Sequence, residues 1–238
     1  MVWILDLYRS PMAKKVVMAG TGLILFGFVF VHMLGNLKLY AGPESLDTYA
    51  HFLREVGYPL IPKEGVLWAF RFGLLAAVGL HILSAWQLTQ ISHKARPQKY
   101  AHAPKRQEST YASRTMRWGG VILLLFIVYH LLHLTTGSVH PEFEHGAVYS
   151  NVVAGFQNPL VAGFYIIANI ALGFHLFHGL WSLFQTLGWN GERFNQLRKA
   201  FAVTFALLVA GANISFPIAV LTGIVSPADT VQTTVADH

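Results

Sequence analysis

Histidines inside long apolar stretches are the residues of this chain whose type and spacing could do chemistry. Six of the 12 histidines lie in stretches made mostly of Leu, Val, Ile, Phe, Ala and Gly: His32, His81, His130, His133, His175 and His178. An imidazole in hydrocarbon is costly unless something binds it. One such histidine would indicate a packing role, but four separate stretches that each supply at least one favour a shared function in ligand binding.

The other six histidines lie in more polar segments. We expect them to be solvated or interfacial: His51, His93, His102, His140, His145 and His238.

The composition is that of a membrane protein. Of the 238 residues, 54% are hydrophobic and 12% are charged, whereas an average soluble domain carries about 25% charged residues. The chain has no cysteine, which excludes disulfides, thiolate metal sites, cysteine-ligated iron–sulfur clusters and covalent c-type haem. The N-terminal segment has a short apolar part followed by basic residues, so we do not expect a signal peptide.

Five apolar runs can carry these histidines across a bilayer, because about 20 helical residues span the roughly 30 Å of hydrocarbon. They cover approximately residues 16–37, 66–91, 118–139, 160–187 and 200–224. None alternates as a strand would, and helices satisfy their own backbone within the membrane. The predicted fold is all-α, with a single transmembrane domain over residues 1–238 that forms a five-helix bundle.

The loop charges predict the orientation of this bundle. The segments before the first run, between the second and third, and between the fourth and fifth hold 13 of the 17 Lys and Arg residues and three of the 11 acidic residues. Since cytoplasmic loops concentrate Lys and Arg, the N-terminus is predicted to be cytoplasmic and the C-terminus outside. The net charge of +6 then requires no nucleic-acid partner.

Two polar segments have their own interpretations. The basic loop 92–117 is either a lipid-facing topology signal or a docking platform for a cytoplasmic partner, and one loop can serve both roles. The outer segment 42–63 combines helix-start residues with an apolar face, which predicts a short surface helix.

The histidines fall at two depths. At 1.5 Å per helical residue, His32 and His130 lie roughly 9 and 15 Å below outer markers, whereas His81 and His175 lie roughly 24 Å deep. Bis-histidine haem ligation needs two imidazoles from different helices at one depth. We therefore predict two haems b, an outer one held by His32 and His130 and an inner one held by His81 and His175. Four helices at two depths do not converge on one zinc ion.

His133 and His178 leave the choice of ligand open at this point. Each follows another histidine by one helical turn, on a similar face. By depth alone, either member of the couples His130/His133 and His175/His178 can be the ligand. The second member would bond a propionate, a quinone or a water.

Short motifs along the chain match a known pattern. They are Met18-Ala-Gly-Thr-Gly22 before His32-Met-Leu-Gly-Asn36, Gly79-Leu-His81, Arg117-Trp-Gly-Gly120 before His130, Gly163-Phe-Tyr165, and His175-Leu-Phe-His-Gly-Leu-Trp-Ser182. In these motifs the chain resembles the cytochrome b membrane anchor of succinate dehydrogenase and fumarate reductase (succinate:quinone oxidoreductase), in its single-chain, five-helix, two-haem form. The resemblance covers nearly the whole chain, and it implies that His130 and His175, not His133 and His178, are the ligands.

The resemblance also implies the partners. A flavoprotein subunit with FAD oxidises succinate, an iron–sulfur subunit passes electrons on, and the anchor carries them through haem to a quinone, commonly menaquinone. The anchor itself does not act on succinate and lies among the lipids of a prokaryotic plasma membrane. The direction of the reaction and a higher oligomer of the whole complex are left open.

Two arginines are further candidates for the haem or quinone environment. Arg71 could bind an outer propionate or a quinone oxygen, or it could snorkel to the interface. Arg117 matches a family arginine, or it is only a topology charge.

Proton transfer and the quinone side are also undecided. Some two-haem relatives carry a glutamate beside the fourth-helix ligand as a proton relay, but the neighbours of His175 are not acidic and no acidic residue lies within a run. An outer quinone site could exchange protons through Glu44, Asp47, His51 or Glu64. The alternative is an inner pocket near the iron–sulfur partner.

Two rival functions fit the same histidines. The first is the di-haem anchor of a hydrogenase or formate dehydrogenase, which shares the chemistry and differs in its partner. The second is a haem-free transporter or structural anchor whose histidines move protons or pack.

Overall fold

The computed structural model describes residues 10–95, 111–189 and 191–228, so His102 and His238 lie outside the described residues. This part of the chain contains α-helices and no strand. The helices are Pro11–Asn36 (α1), Pro43–Glu55 (α2), Gly65–Lys94 (α3), Tyr111–His130 (α4), Val148–Gln157 (α5), Pro159–Thr186 (α6) and Glu192–Leu221 (α7). A 3₁₀ turn, Leu37–Ala41, follows α1, and a π turn, Leu131–Thr135, follows α4.

Five of these helices, α1, α3, α4, α6 and α7, are long and apolar enough to cross a membrane. The predicted all-α, five-helix membrane bundle is therefore confirmed. The orientation of its termini stays a prediction from the loop charges.

Three of the crossing helices, α1, α4 and α7, begin earlier than the apolar runs indicate. α1 starts at Pro11 because the Ser10 side chain caps it, accepting the N–H of Ala13 at 3.1 Å, and because proline is favoured at the first helical position. α7 starts at Glu192, well before residue 200. A hydropathy run marks only the hydrocarbon part of a helix, whereas the helix itself continues into the interface where lysine and arginine are tolerated.

The two short helices form a cap over the predicted outer end. α2 lies in the segment for which a surface helix is predicted, whereas α5 has no counterpart among the predicted elements. Tyr149 ties the cap together, since its backbone N–H donates to Asp47 Oδ1 at 2.9 Å and its hydroxyl donates to the Ser226 carbonyl at 2.8 Å. Leu46, Tyr149 and Val153 belong to a buried cluster that continues into α6 and α7.

The crossing helices pack in an uneven pattern. α1 packs closely on α3, α4 on α6, and α6 on α7, and α1 also touches α6 and α7. By contrast, α1 with α4 and α3 with α6 make few or no close backbone contacts. The two helix pairs that carry the predicted ligand pairs are thus separated by more space than their neighbours.

Candidate haem sites

The four histidines of the predicted ligand set face each other in two couples. The rings of His32 on α1 and His130 on α4 have centroids 5.9 Å apart and planes at 84°. The rings of His81 on α3 and His175 on α6 have centroids 6.2 Å apart and planes at 61°. Each couple therefore spans one of the two widely separated helix pairs.

The separation within each couple fits a metal between the rings. Metal–imidazole nitrogen bonds are about 2 Å long, and the nitrogen lies about 1 Å from the ring centre, so two imidazoles across one iron have centroids roughly 6 Å apart. His32 is exposed and the other three histidines are half-buried, so their neighbours leave room beside each ring. Across the described ranges, no three His, Asp or Glu side chains form a group that could hold a metal ion alone.

The inner couple has one ring whose tautomer is set by its neighbours. His81 Nδ1 lies 3.2 Å from the Met18 carbonyl oxygen and 3.2 Å from Thr21 Oγ1. Because a carbonyl only accepts, Nδ1 carries the hydrogen and Nε2 keeps its lone pair. Opposite it, His175 Nδ1 is buried and has no hydrogen-bond partner among the described residues. The Nδ1–H of His81, held by an acceptor, suits a ring that binds a metal through its Nε2 lone pair.

Gly22 allows the close approach of α1 to His81. A Cβ at this position would lie 3.3 Å from His81 Cε1, which is tighter than most real Cβ contacts. The absence of a side chain at Gly22 therefore lets α1 pack close to the imidazole of His81 on α3.

The outer couple is held by aromatic neighbours and a phenol. Phe28 stacks on His32 with ring centroids 5.3 Å apart, and Phe126 lies 5.6 Å from His130. The Tyr165 hydroxyl on α6 lies 3.3 Å from His130 Nδ1. The ring of His130 is thus fixed from α4 and α6 while its other side faces α1.

Comparison with protein families identifies the family to which this helix bundle belongs. The family model of the succinate dehydrogenase/fumarate reductase transmembrane subunit matches residues 92–214, slightly more than half of the chain. The chain belongs to this family. The matched part of this transmembrane subunit contains His130 and His175, whereas His32 and His81 precede it. Comparison with curated proteins and with solved structures finds no significant match.

His140 of this transmembrane subunit is not where the sequence suggests. It is buried rather than solvated or interfacial: Nε2 donates to the Asn151 carbonyl at 2.9 Å, and Nδ1 accepts the Glu142 N–H at 3.2 Å. The expectation is wrong because α5, which is too short to form one of the apolar runs, packs over the segment that follows α4. A signal was present, since Val148, Val152 and Phe156 recur at helical spacing before Pro159.

His133 is also deeper than its place near the end of a run indicates. Its ring is 1% exposed, stacks on His140 at 4.8 Å, and has Nδ1 3.0 Å from the Tyr165 hydroxyl. A Cβ on Gly155 of α5 would lie 2.6 Å from its Cε1. The sequence presents Tyr165 only within a motif, whereas the structure places its hydroxyl against two histidines.

Arg71, Arg117 and His178 are the remaining candidates of the transmembrane subunit. Arg71 places its guanidinium 4.7 Å above the Trp68 ring, and Arg117 is exposed and hydrogen bonds to His93 Nε2 at 3.0 Å. His178 is half-buried on α6, one turn after His175. None of these positions by itself identifies a propionate or quinone contact.

Three of the four proton-exchange candidates at the predicted outer side, Asp47, His51 and Glu64, contact protein partners. Asp47 accepts the Tyr149 N–H, Glu64 lies 3.8 Å from Arg54, and His51 lies 3.5 Å from Glu55. A hydrogen bond from Lys63 lowers the pKa of Glu55. Glu44 is exposed at the first turn of α2.

Proposed function

We propose that this chain is the di-haem cytochrome b anchor of a succinate:quinone oxidoreductase. In this role it passes electrons between an iron–sulfur subunit and a membrane quinone, and menaquinone is the quinone we propose. The observation that carries the proposal is the presence of two imidazole couples, each with an iron-sized separation, in a member of this family. His32 and His130 would hold the outer haem b, and His81 and His175 the inner one.

When bound, each haem b supplies an iron that accepts and releases one electron at a time. The protein's own residues fix where this happens. The Met18 carbonyl and Thr21 hold His81 with Nε2 free of hydrogen, and Thr21 is itself oriented because its hydroxyl donates to the Val17 carbonyl at 2.7 Å. Phe28 and Phe126 pack on the outer rings and keep that site apolar.

The catalytic chemistry of succinate and fumarate belongs to partners. A flavoprotein subunit with FAD and an iron–sulfur subunit supply it, because the chain has no cysteine to hold a cluster. The basic predicted cytoplasmic side is the side on which we place the iron–sulfur subunit. The whole chain then acts as one transmembrane cytochrome b domain in a prokaryotic plasma membrane, with lipids and quinone as its other partners.

The family assignment favours succinate dehydrogenase or fumarate reductase over a hydrogenase or formate dehydrogenase as the parent complex. A haem-free transporter would have no need for imidazole couples at two depths with iron-sized gaps.

The test is to purify the intact complex from its membranes. We expect two haems b per chain by pyridine haemochrome assay, a b-type alpha band in the reduced-minus-oxidised spectrum, and co-purification with a flavin-containing subunit that oxidises succinate with menaquinone analogues. Absence of the alpha band would overturn the haem assignment. Two haems without a succinate-oxidising partner would instead support another respiratory anchor. A His145→Ala variant, changed at an exposed loop histidine, is the control and keeps both haems.

A further inference from the structure

The chain changes helix type directly after His130. Leu131–Thr135 forms a π turn, in which the Thr136 N–H donates to the Leu131 carbonyl five residues earlier at 2.9 Å. π turns inserted in α-helices are frequent at functional sites. His130 precedes this turn and His133 lies within it, and the Nδ1 atoms of both are within hydrogen-bond distance of one group, the Tyr165 hydroxyl.

Tyr165 is held in place by its neighbours and can therefore orient both imidazole rings. It is 4% exposed, and Phe126, Tyr129 and Phe156 surround its ring with centroids 5.1, 6.2 and 4.9 Å away. A phenol has one hydrogen to donate and lone pairs to accept with. With two imidazole nitrogens as neighbours, it can donate to one and accept from the other.

We propose that Tyr165 is the positioning residue of the outer haem: its oxygen accepts the Nδ1–H of His130, and its hydrogen goes to Nδ1 of His133. The proposal rests on the proposed function. An imidazole that binds iron through Nε2 carries its hydrogen on Nδ1 and donates it to a neighbouring acceptor. The Tyr165 oxygen, 3.3 Å away, is that acceptor for His130.

With the hydroxyl polarised in this proposed direction, His133 cannot be a ligand. Once the Tyr165 oxygen has accepted from His130, its own hydrogen points to His133 Nδ1 at 3.0 Å. Neutral His133 then carries its hydrogen on Nε2, so neither of its nitrogens has a lone pair to offer a metal. Depth along the helix leaves His130 and His133 equivalent, and in this proposal the direction of the two Tyr165 hydrogen bonds gives them different roles.

In the inner couple, the Nδ1–H of a ligand histidine is held without a tyrosine hydroxyl. There, the Met18 carbonyl and Thr21 hold the Nδ1–H of His81. Removal of the Tyr165 hydroxyl therefore affects the outer haem and leaves the inner haem as an internal reference in the same molecule.

The experiment compares Tyr165→Phe with Tyr149→Phe in the intact complex by redox titration of the alpha band and low-temperature EPR. Donation of Nδ1–H makes an imidazole a more basic ligand and stabilises ferric iron. We therefore expect Tyr165→Phe to keep two haems, to raise the midpoint potential of the outer one and shift its EPR signal, and to leave the inner one unchanged. Tyr149→Phe removes a hydroxyl bonded to Ser226 and changes neither potential.

A second variant keeps the proposal testable if Tyr165→Phe does not assemble. His133→Asn places a carbonyl oxygen close to the native Nδ1 position, so it preserves an acceptor for Tyr165 and is expected to keep both haems at native potentials. Loss of the outer haem from His133→Asn would overturn the proposal, and so would an unchanged outer potential and EPR signal in Tyr165→Phe. A failure of the proposed function would give a different result. The native complex itself would then contain no outer haem with which the variants could be compared.

Discussion

Gly155 of α5 lies directly against the imidazole of His133 in the π turn that follows α4. A Cβ at Gly155 would be 2.6 Å from Cε1 and 2.9 Å from Nε2 of His133, and 3.3 Å from Nε2 of His140. All three residues are buried. The outer cap and the predicted outer haem site are therefore packed against each other through a position that has no side chain.

Gly155→Ala tests this contact. The added methyl group must displace His133, and overpacking of this kind costs typically about 1–3 kcal/mol. We expect a lower thermal unfolding temperature of the complex in detergent and a shifted EPR signal from the outer haem only. The matched control is Gly211→Ala in α7, where an added Cβ meets nothing within 4 Å. Equal behaviour of the two variants would contradict the packing described above.

The imidazole couples predict which haem each histidine variant loses. His81→Ala and His175→Ala should each remove the inner haem, whereas His32→Ala and His130→Ala should each remove the outer one. The ring planes cross at 61° in the inner couple and 84° in the outer couple, so we expect two separate low-spin ferric EPR signals that report each loss. If His175→Ala removed the same signal as His130→Ala, the pairing would be wrong.

Asp47→Ala tests the hydrogen bond that joins α2 to α5. The variant leaves the buried N–H of Tyr149 without its carboxylate acceptor. A buried donor that loses its partner costs about 1–3 kcal/mol. We expect earlier thermal unfolding and faster hydrogen exchange in Val148–Gln157. Glu44→Ala, an exposed position on the same helix, serves as the control and should leave exchange in α5 unchanged.

Arg198→Lys tests how the predicted cytoplasmic ends of α6 and α7 are held together. The Arg198 guanidinium is buried, lies 4.3 Å from the Trp181 ring centroid, and donates to the Trp189 carbonyl at 3.1 Å and to Asn195. Lysine keeps the charge but loses the planar donor set. Because the variant loses both a cation–π contact and hydrogen bonds, we expect the free energy of unfolding to fall by about 1–2 kcal/mol. Thermal unfolding measures this loss. Lys199→Gln, at the exposed neighbouring position, should be close to neutral.

The crossing helices and the partner of each histidine follow from properties that a sequence records directly. Helix length and rise convert position into depth, and depth selected His32 with His130 and His81 with His175. The rings that contact each other in the structure are the same ones, although their role as haem ligands stays a prediction.

The surroundings of those rings depend on tertiary contacts that spacing does not record. Tyr165 reaches His130 and His133 only because α6 packs on α4 and a π turn follows His130. The burial of His140 depends on α5, a ten-residue helix that is too short to stand out as an apolar run.

The loose contact between α3 and α6 has a consequence for assembly. α3 packs on α1 and α2, while its links to α4 and α6 include the Arg117–His93 hydrogen bond and the His81–His175 couple. A ligand held by both rings would join two helices that otherwise scarcely touch, and binding energy gained only in the folded state adds to its stability. The cofactor would thus act as a cross-link between the packed α1–α3 pair and α6, and a chain that has not acquired it would lack that link.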